Sequence, residues 1–183
     1  MQSLRLILIA TSLVGLAACA HVDPAPSTAV MPPGALGSNG DPDVRSLDVA
    51  AYSFGRVMRN PAEAAEAIAA LDYIGGELNT SPRWIGMEPL TRAQMLQARE
   101  TLRSYVGISQ AAPSQAVVDT MLALSQAYRA ADTAAVQRLL AKPIFIAPPA
   151  AVEAHLAYIP LMPAINNVTT RADGLLPEFN NPG

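Results

Sequence analysis

Apolar residues recur three and four positions apart along this chain, and Asn-Pro, Gly and Pro-Pro steps cut the pattern into helix-length pieces. That combination restricts the fold more than any other feature. A 3.6-residue period gathers apolar side chains on one face, which has to be buried against another helix. Val44, Leu47, Ala51, Phe54 and Met58 form the first stripe, with Asp43 as its N-cap and Asn60-Pro61 as its end. The same pair opens the second helix. Asn60 is placed to cap, Pro61 to occupy the first helical position and Glu63 to complete a capping-box-like start. Ala64, Ile68, Leu71, Gly75 and Leu78 continue it. Replacing Asn60 by alanine is expected to cost about 1 kcal/mol in urea unfolding. Gly75-Gly76 reads as close helix packing or a local break, since no strand and no further glycine at nucleotide-loop spacing accompany it.

The longest break is Asn79 to Leu90, which holds the one tryptophan beside Arg83. Arg83 and Trp84 are the candidate interaction surface, because Arg and Trp dominate interface hot spots. The competing and favoured reading folds Trp84 and Ile85 back as a plug on the helical core. Thr91 with Gln94 predicts a third helix running to Val106 before Gly107, with Met95, Ala98, Leu102 and Tyr105 inward. Pro113 opens a fourth, striped by Val117, Met121, Leu124 and Tyr128. Asp132 caps a short fifth carrying Val136, Leu139 and Leu140, stopped at Lys142-Pro143. Ile144 to Ile146 reads as an extended buried connection, because a strand there would have no partner. Further short helices are expected over about 150–158 and 163–171, and a frayed tail from Gly174.

The expected fold is therefore all-α, an irregular bundle of five to seven amphipathic helices. It divides into a leader (1–18), a Pro/Gly-rich flexible spacer (19–43), a helical domain (44–172) and a flexible C-terminal tail (173–183). Some 130 domain residues are enough to bury a core without staples.

Charge excludes one class of partner. The net charge is −3, and without a basic surplus no phosphate backbone is neutralised, so nucleic acid is not an expected partner. Metal chemistry needs several converging ligands. The domain carries one histidine, His155, with Glu153 two residues away on a different helical face, so neither a metal nor a cofactor is expected. No Gly-x-Ser-x-Gly elbow accompanies His155. Glu63 and Glu66 suit a helix N-terminus electrostatically and need no catalytic reading. An acid–base or ligand site would require Glu77, Arg83 and Arg103 to meet in a concave pocket, or Asp72, Glu77 and Glu88 to converge. Arg56, Arg59, Arg83, Arg92, Arg99 and Arg103 would bind a carboxylate or phosphate if several converged, but read as solvated faces with local partners. The chain is read as leaning away from an enzyme. Asn167-Val168-Thr169 matches a glycosylation acceptor, a pattern short enough to arise by chance.

The leader carries the address. One positive charge precedes an apolar run from Leu6 to Ala18 that is too short to span a bilayer, followed by small residues, as in a secretory signal peptide. Leu16-Ala17-Ala18-Cys19 resembles the lipobox of bacterial lipoproteins, and Cys19 is the only cysteine of the chain. The resemblance implies diacylglyceryl transfer to the Cys19 thiol, cleavage before it, and attachment to a membrane through acyl chains. Two chains suffice for stable anchoring. Ala20 after the cysteine favours the outer membrane, facing the periplasm. Two alternatives stand beside this: ordinary cleavage after Ala20, leaving a soluble periplasmic chain from His21, and an uncleaved anchor. The spacer that follows contains Pro24, Pro26, Pro32, Pro33 and Pro42 with Gly34, Gly37 and Gly40. A coil of that length reaches about 25 Å, or about 65 Å if polyproline-like, which would hold the domain clear of the headgroups.

The expected activity follows from a tethered bundle without assembled catalytic parts: a binding or scaffold module for another cell-envelope component. That expectation requires an exposed apolar patch or an interhelical groove.

Overall fold

The structure is a computed structural model that describes residues 28–37 and 40–180. Cys19, with the leader and the first part of the spacer, lies outside the described residues. Among the described residues the fold is all-α: α1 (Pro42–Phe54), α2 (Pro61–Thr80), α3 (Pro89–Val106), α4 (Ser114–Arg129), α5 (Thr133–Leu140), α6 (Pro149–Ala157), α7 (Pro163–Gly174) and the short α8 (Leu176–Asn180), with a single 3-10 turn at Pro82–Trp84.

The bundle is built on α2. Asn60 caps it as its sequence predicts, accepting from the backbone N–H groups of Ala62 at 3.0 Å and Glu63 at 3.4 Å. Its alanines are buried on every side, Ala64, Ala65, Ala67, Ala69 and Ala70 together with Ile68, Leu71, Ile74 and Leu78. A helix that is apolar all round belongs in the centre of a bundle, and small side chains let neighbouring backbones approach. Gly75 shows how close they come. A Cβ there would lie 3.3 Å from the Met95 carbonyl oxygen and 3.4 Å from Arg99 Cβ, so the Gly75-Gly76 step is a packing site within a continuous helix.

Three helices run antiparallel to α2. Asp43 at the start of α1 meets Tyr73 near the end of α2, while Arg56, just past α1, meets Glu63 at its start. Asn79 near the end of α2 donates to the Arg92 carbonyl in the first turn of α3. Ser125 and Arg129 at the end of α4 reach Glu66. Helix α7 lies across α1 and α3. The bundle therefore has two ends. One holds the N-termini of α1, α3 and α4 with the C-terminus of α2; the other holds the reverse.

Several local expectations shift. The α1 cap is Asp41, not Asp43. Asp41 accepts from the Asp43 N–H at 2.9 Å, and Pro42 takes the first helical position. The helix stops at Phe54. Met58 instead pairs antiparallel with Ile159 through two hydrogen bonds of 3.0 Å. Ile144 to Ile146 does find a partner: Phe145 bridges Ile108, with the Ser109 N–H donating to the Ile144 carbonyl at 2.8 Å.

Two boundaries also move. The Pro/Gly-rich stretch before Asp41 is partly folded onto the domain, with Ala29, Met31 and Leu36 in the core. Pro33-Gly34 form the centre of a turn closed by Ala35 N–H to Pro32 C=O at 3.1 Å, Gly34 taking φ 75. That is the residue pair a proline–glycine turn requires. Gln115 on α4 clamps Val30 from both sides, accepting from its N–H at 2.7 Å and donating to its carbonyl at 3.3 Å. At the other terminus, α8 follows Gly174 where a frayed tail is expected, burying Leu176 and laying Phe179 5.2 Å from the Trp84 ring.

Candidate interaction surface

At the end of the bundle where α1 finishes and α2 begins, aromatic rings and guanidinium groups line up in the open. Arg56 lies 4.6 Å over the Tyr52 ring, and Arg59 lies 5.2 Å over Tyr158. The position of Tyr158 follows from the Met58–Ile159 pairing, which sets Arg59 opposite it. The Tyr158 carbonyl accepts from the Tyr105 hydroxyl at 2.9 Å, and Tyr105 in turn stacks on His155 with centroids 4.7 Å apart. Tyr52 is 69% exposed and Tyr158 44%, with Val57 and Leu161 exposed beside them.

The charges here differ in their commitments. Arg56 is paired with Glu63 at 2.8 Å. Arg59 makes no hydrogen bond or ion pair among the described residues, so its charge is held by stacking alone. A guanidinium on a ring face keeps its donor edge free for a carboxylate. Burial pushes the Tyr105 hydroxyl above its ordinary pKa, so at neutral pH it stays a donor to the Tyr158 carbonyl. The surface is thus preorganised, part apolar and part cationic.

The pair singled out in the sequence lies at the opposite end. Trp84 is fully buried, and its indole N–H donates to Asp43 at 2.9 Å. It is not an exposed recognition group. The plug reading fits Trp84 but not Ile85, which points outward at 77% exposure. Arg83 covers the outer face of the indole at 4.5 Å and pairs with Asp41 and Asp43. Asp43 thereby receives Tyr73, Trp84 and Arg83 at one carboxylate. Burial raises the pKa of Asp41, but the hydrogen bond and charge of Arg83 and the α1 backbone N–H groups outweigh it and hold it below the ordinary value. Glu77 is pushed up, first by burial and then by the charge of Asp43.

Glu77, Arg83 and Arg103 do not meet in one pocket. Arg103 belongs to a separate interior network. Its Nε donates to Asp72 at 2.6 Å and one terminal nitrogen to the same carboxylate at 2.7 Å, with both residues buried. The other terminal nitrogen holds the carbonyls of Gln110 and Ala112 at 3.2 and 2.9 Å. Ser114 joins Arg103 to Arg99. These groups are spent on one another and on the 109–112 loop. Glu88 is elsewhere, accepting from Thr91 at 2.9 Å, so Asp72, Glu77 and Glu88 do not converge. Glu153 lines a small recess of about 90 Å³ beside Tyr128, whose hydroxyl is pushed up to about 12 by burial and by Glu153.

A groove of about 330 Å³ runs between α3 and α7, floored by Ala98 and Val168 and walled by Gln97, Thr101 and Asn167, with Arg171 donating to Gln94 at 2.9 Å along it. Among the described residues no group of three or more His, Cys, Asp or Glu side chains is placed to hold a metal, and no helix is long and apolar enough to cross a membrane. Sequence reasoning missed the Tyr/Arg end because Arg59 and Tyr158 become neighbours only through the Met58–Ile159 pairing. The visible signal was Tyr52 and Arg56, four apart on α1 and its exit. Comparison with protein-family models, curated proteins and solved structures returns no match for this chain.

Proposed function

We propose that this chain is a lipid-anchored protein of the bacterial cell envelope, outer-membrane-attached and periplasm-facing, that works as a binding or scaffold module for another envelope protein. The observation that carries the binding role is the exposed stack of Arg59 on Tyr158 with Tyr52 and Arg56 alongside. Tyrosine and arginine are the residue types that supply most interface energy, because each combines large contact area with directed hydrogen bonding. A partner of matching chemistry offers a carboxylate for Arg59 beside apolar side chains for Tyr158 and Leu161. The anchoring role is supported by the lipobox-like Leu16-Ala17-Ala18-Cys19 alone.

A photo-crosslinking residue in place of the exposed Leu161, with capture from envelope membranes, tests the reading. One defined adduct is expected. Arg59→Ala together with Tyr158→Ala should weaken capture about thirtyfold or more, the loss of a hot spot of at least 2 kcal/mol. The thermal midpoint should stay unchanged, because both side chains are exposed. Undiminished capture by that double variant would sink the proposal.

A further inference from the structure

The end of the bundle farthest from the Tyr/Arg surface is apolar in an unusual place. Val30 is 71% exposed where the folded chain begins, and Ile85 points outward from the turn after α2. Pro82, three residues before Ile85, lines one shallow surface depression with Val30, Glu77, Thr80 and Gln115. Leu90, also exposed, follows at the start of α3. These side chains crown the end where α2 finishes, and Trp84 and Phe179 fill the space beneath.

The length of chain leading to this end says what covers it. Ala29 is already packed in the core, fifteen residues ahead of Val44. Only nine peptide links separate Cys19 from Thr28, and they span no more than about 30 Å when fully drawn out. That maximum is shorter than the diameter of roughly 40 Å of a domain this size. A tether that short, fixed at one end of the bundle, does not let the domain turn freely above a membrane. It brings the attached end to the surface.

We propose that the end formed by Val30, Pro82, Ile85 and Leu90 rests in the headgroup region of the bilayer to which Cys19 is attached. The inference rests on the lipidation reading given under Proposed function. Apolar side chains at the tip of a folded domain gain by burying themselves at the headgroup–acyl boundary. The charges at this end select the lipid. Asp41, Asp43 and Glu77 lie together here with Arg83 as their nearby cation. An anionic leaflet would repel them, so the fit is to a zwitterionic surface. With this end seated, Tyr52, Arg59 and Tyr158 face away from the membrane.

The test uses the full chain with Ile85→Cys. Once Cys19 carries its thioether, position 85 holds the only free thiol, and a nitroxide is placed there. Intact mass first establishes whether Cys19 is acylated. The protein is then reconstituted in phosphatidylethanolamine–phosphatidylcholine vesicles, and collision with oxygen is compared with collision with a water-soluble nickel chelate. The reference is Ile146→Cys, equally exposed, whose backbone N–H is held by Gly107 at 2.9 Å at the far end of α3. That is about 25 Å along the helix from Leu90. The oxygen-to-nickel ratio at position 85 should exceed that at 146 about threefold or more, as burial in the interface requires. Equal ratios on an acylated chain overturn the seating while leaving the anchor intact. Protection at 85 in native envelope membranes but not in vesicles also overturns it, and assigns the face to a protein. An unmodified Cys19, or a chain starting at His21, removes the anchor and the seating together.

Discussion

Asp72→Ala is expected to destabilise the chain by about 3 to 5 kcal/mol, because it strands a buried guanidinium. Arg103 then keeps its carbonyl partners in the 109–112 loop but loses its carboxylate partner. The loss is aggravated by Arg99. Burial lowers its pKa below the ordinary value, the charge of Arg103 adds to that, and Asp72 opposes it. Removing Asp72 leaves two guanidinium groups facing each other in the interior. Urea unfolding followed by circular dichroism measures the effect, and a loss below about 1 kcal/mol would contradict it. Asp72→Leu combined with Arg103→Met should recover part of the stability, since the desolvation cost of both charges disappears. Recovery stays incomplete by about 1 to 2 kcal/mol, because the carbonyls of Gln110 and Ala112 lose their donor.

Trp84→Ala is expected to cost about 3 to 5 kcal/mol, the usual range for emptying a buried aromatic site. The indole is enclosed between the core, Arg83 and the Phe179 ring. Trp84→Phe separates packing from hydrogen bonding: it keeps most of the apolar volume but removes the 2.9 Å donor to Asp43, at about 1 to 2 kcal/mol. If the phenylalanine variant were as unstable as the alanine one, the Asp43 hub rather than packing would dominate this end. Binding at the Tyr/Arg end should be unaffected in either variant under conditions where the chain is folded, because that surface lies at the opposite end of α2.

The helices were legible because their ends are local events. Asn60 reaches N–H groups two and three residues on, Asp132 caps α5 the same way at Ala135, and Gly107 at φ 88 closes α3 where its sequence places it. The α1 start was misread by two residues because Asp41 and Asp43 both precede apolar residues, and Pro42 decides between them. Other features were hidden by the same logic turned round. Composition alone made the proline- and glycine-rich 28–37 stretch look like spacer. Its place in the fold depends on Leu36 meeting Arg45 of α1 and Val30 meeting Gln115 of α4, which no local pattern records.

What the sequence determined by itself is the all-α class and the approximate span of most helices. Those rest on interactions between residues a few positions apart. What only the tertiary structure decided is which faces meet. Alanines that looked like composition make α2 the hub. Asp72 and Arg103, 31 residues apart, become one buried pair. Tyr52, Arg59 and Tyr158 share an open end, while Trp84 turns inward. These depend on long-range packing, where the free energy belongs to the juxtaposition and to no single segment. The burial of Ala29 and Met31 in the core, where the sequence reads as spacer, is the same kind of result.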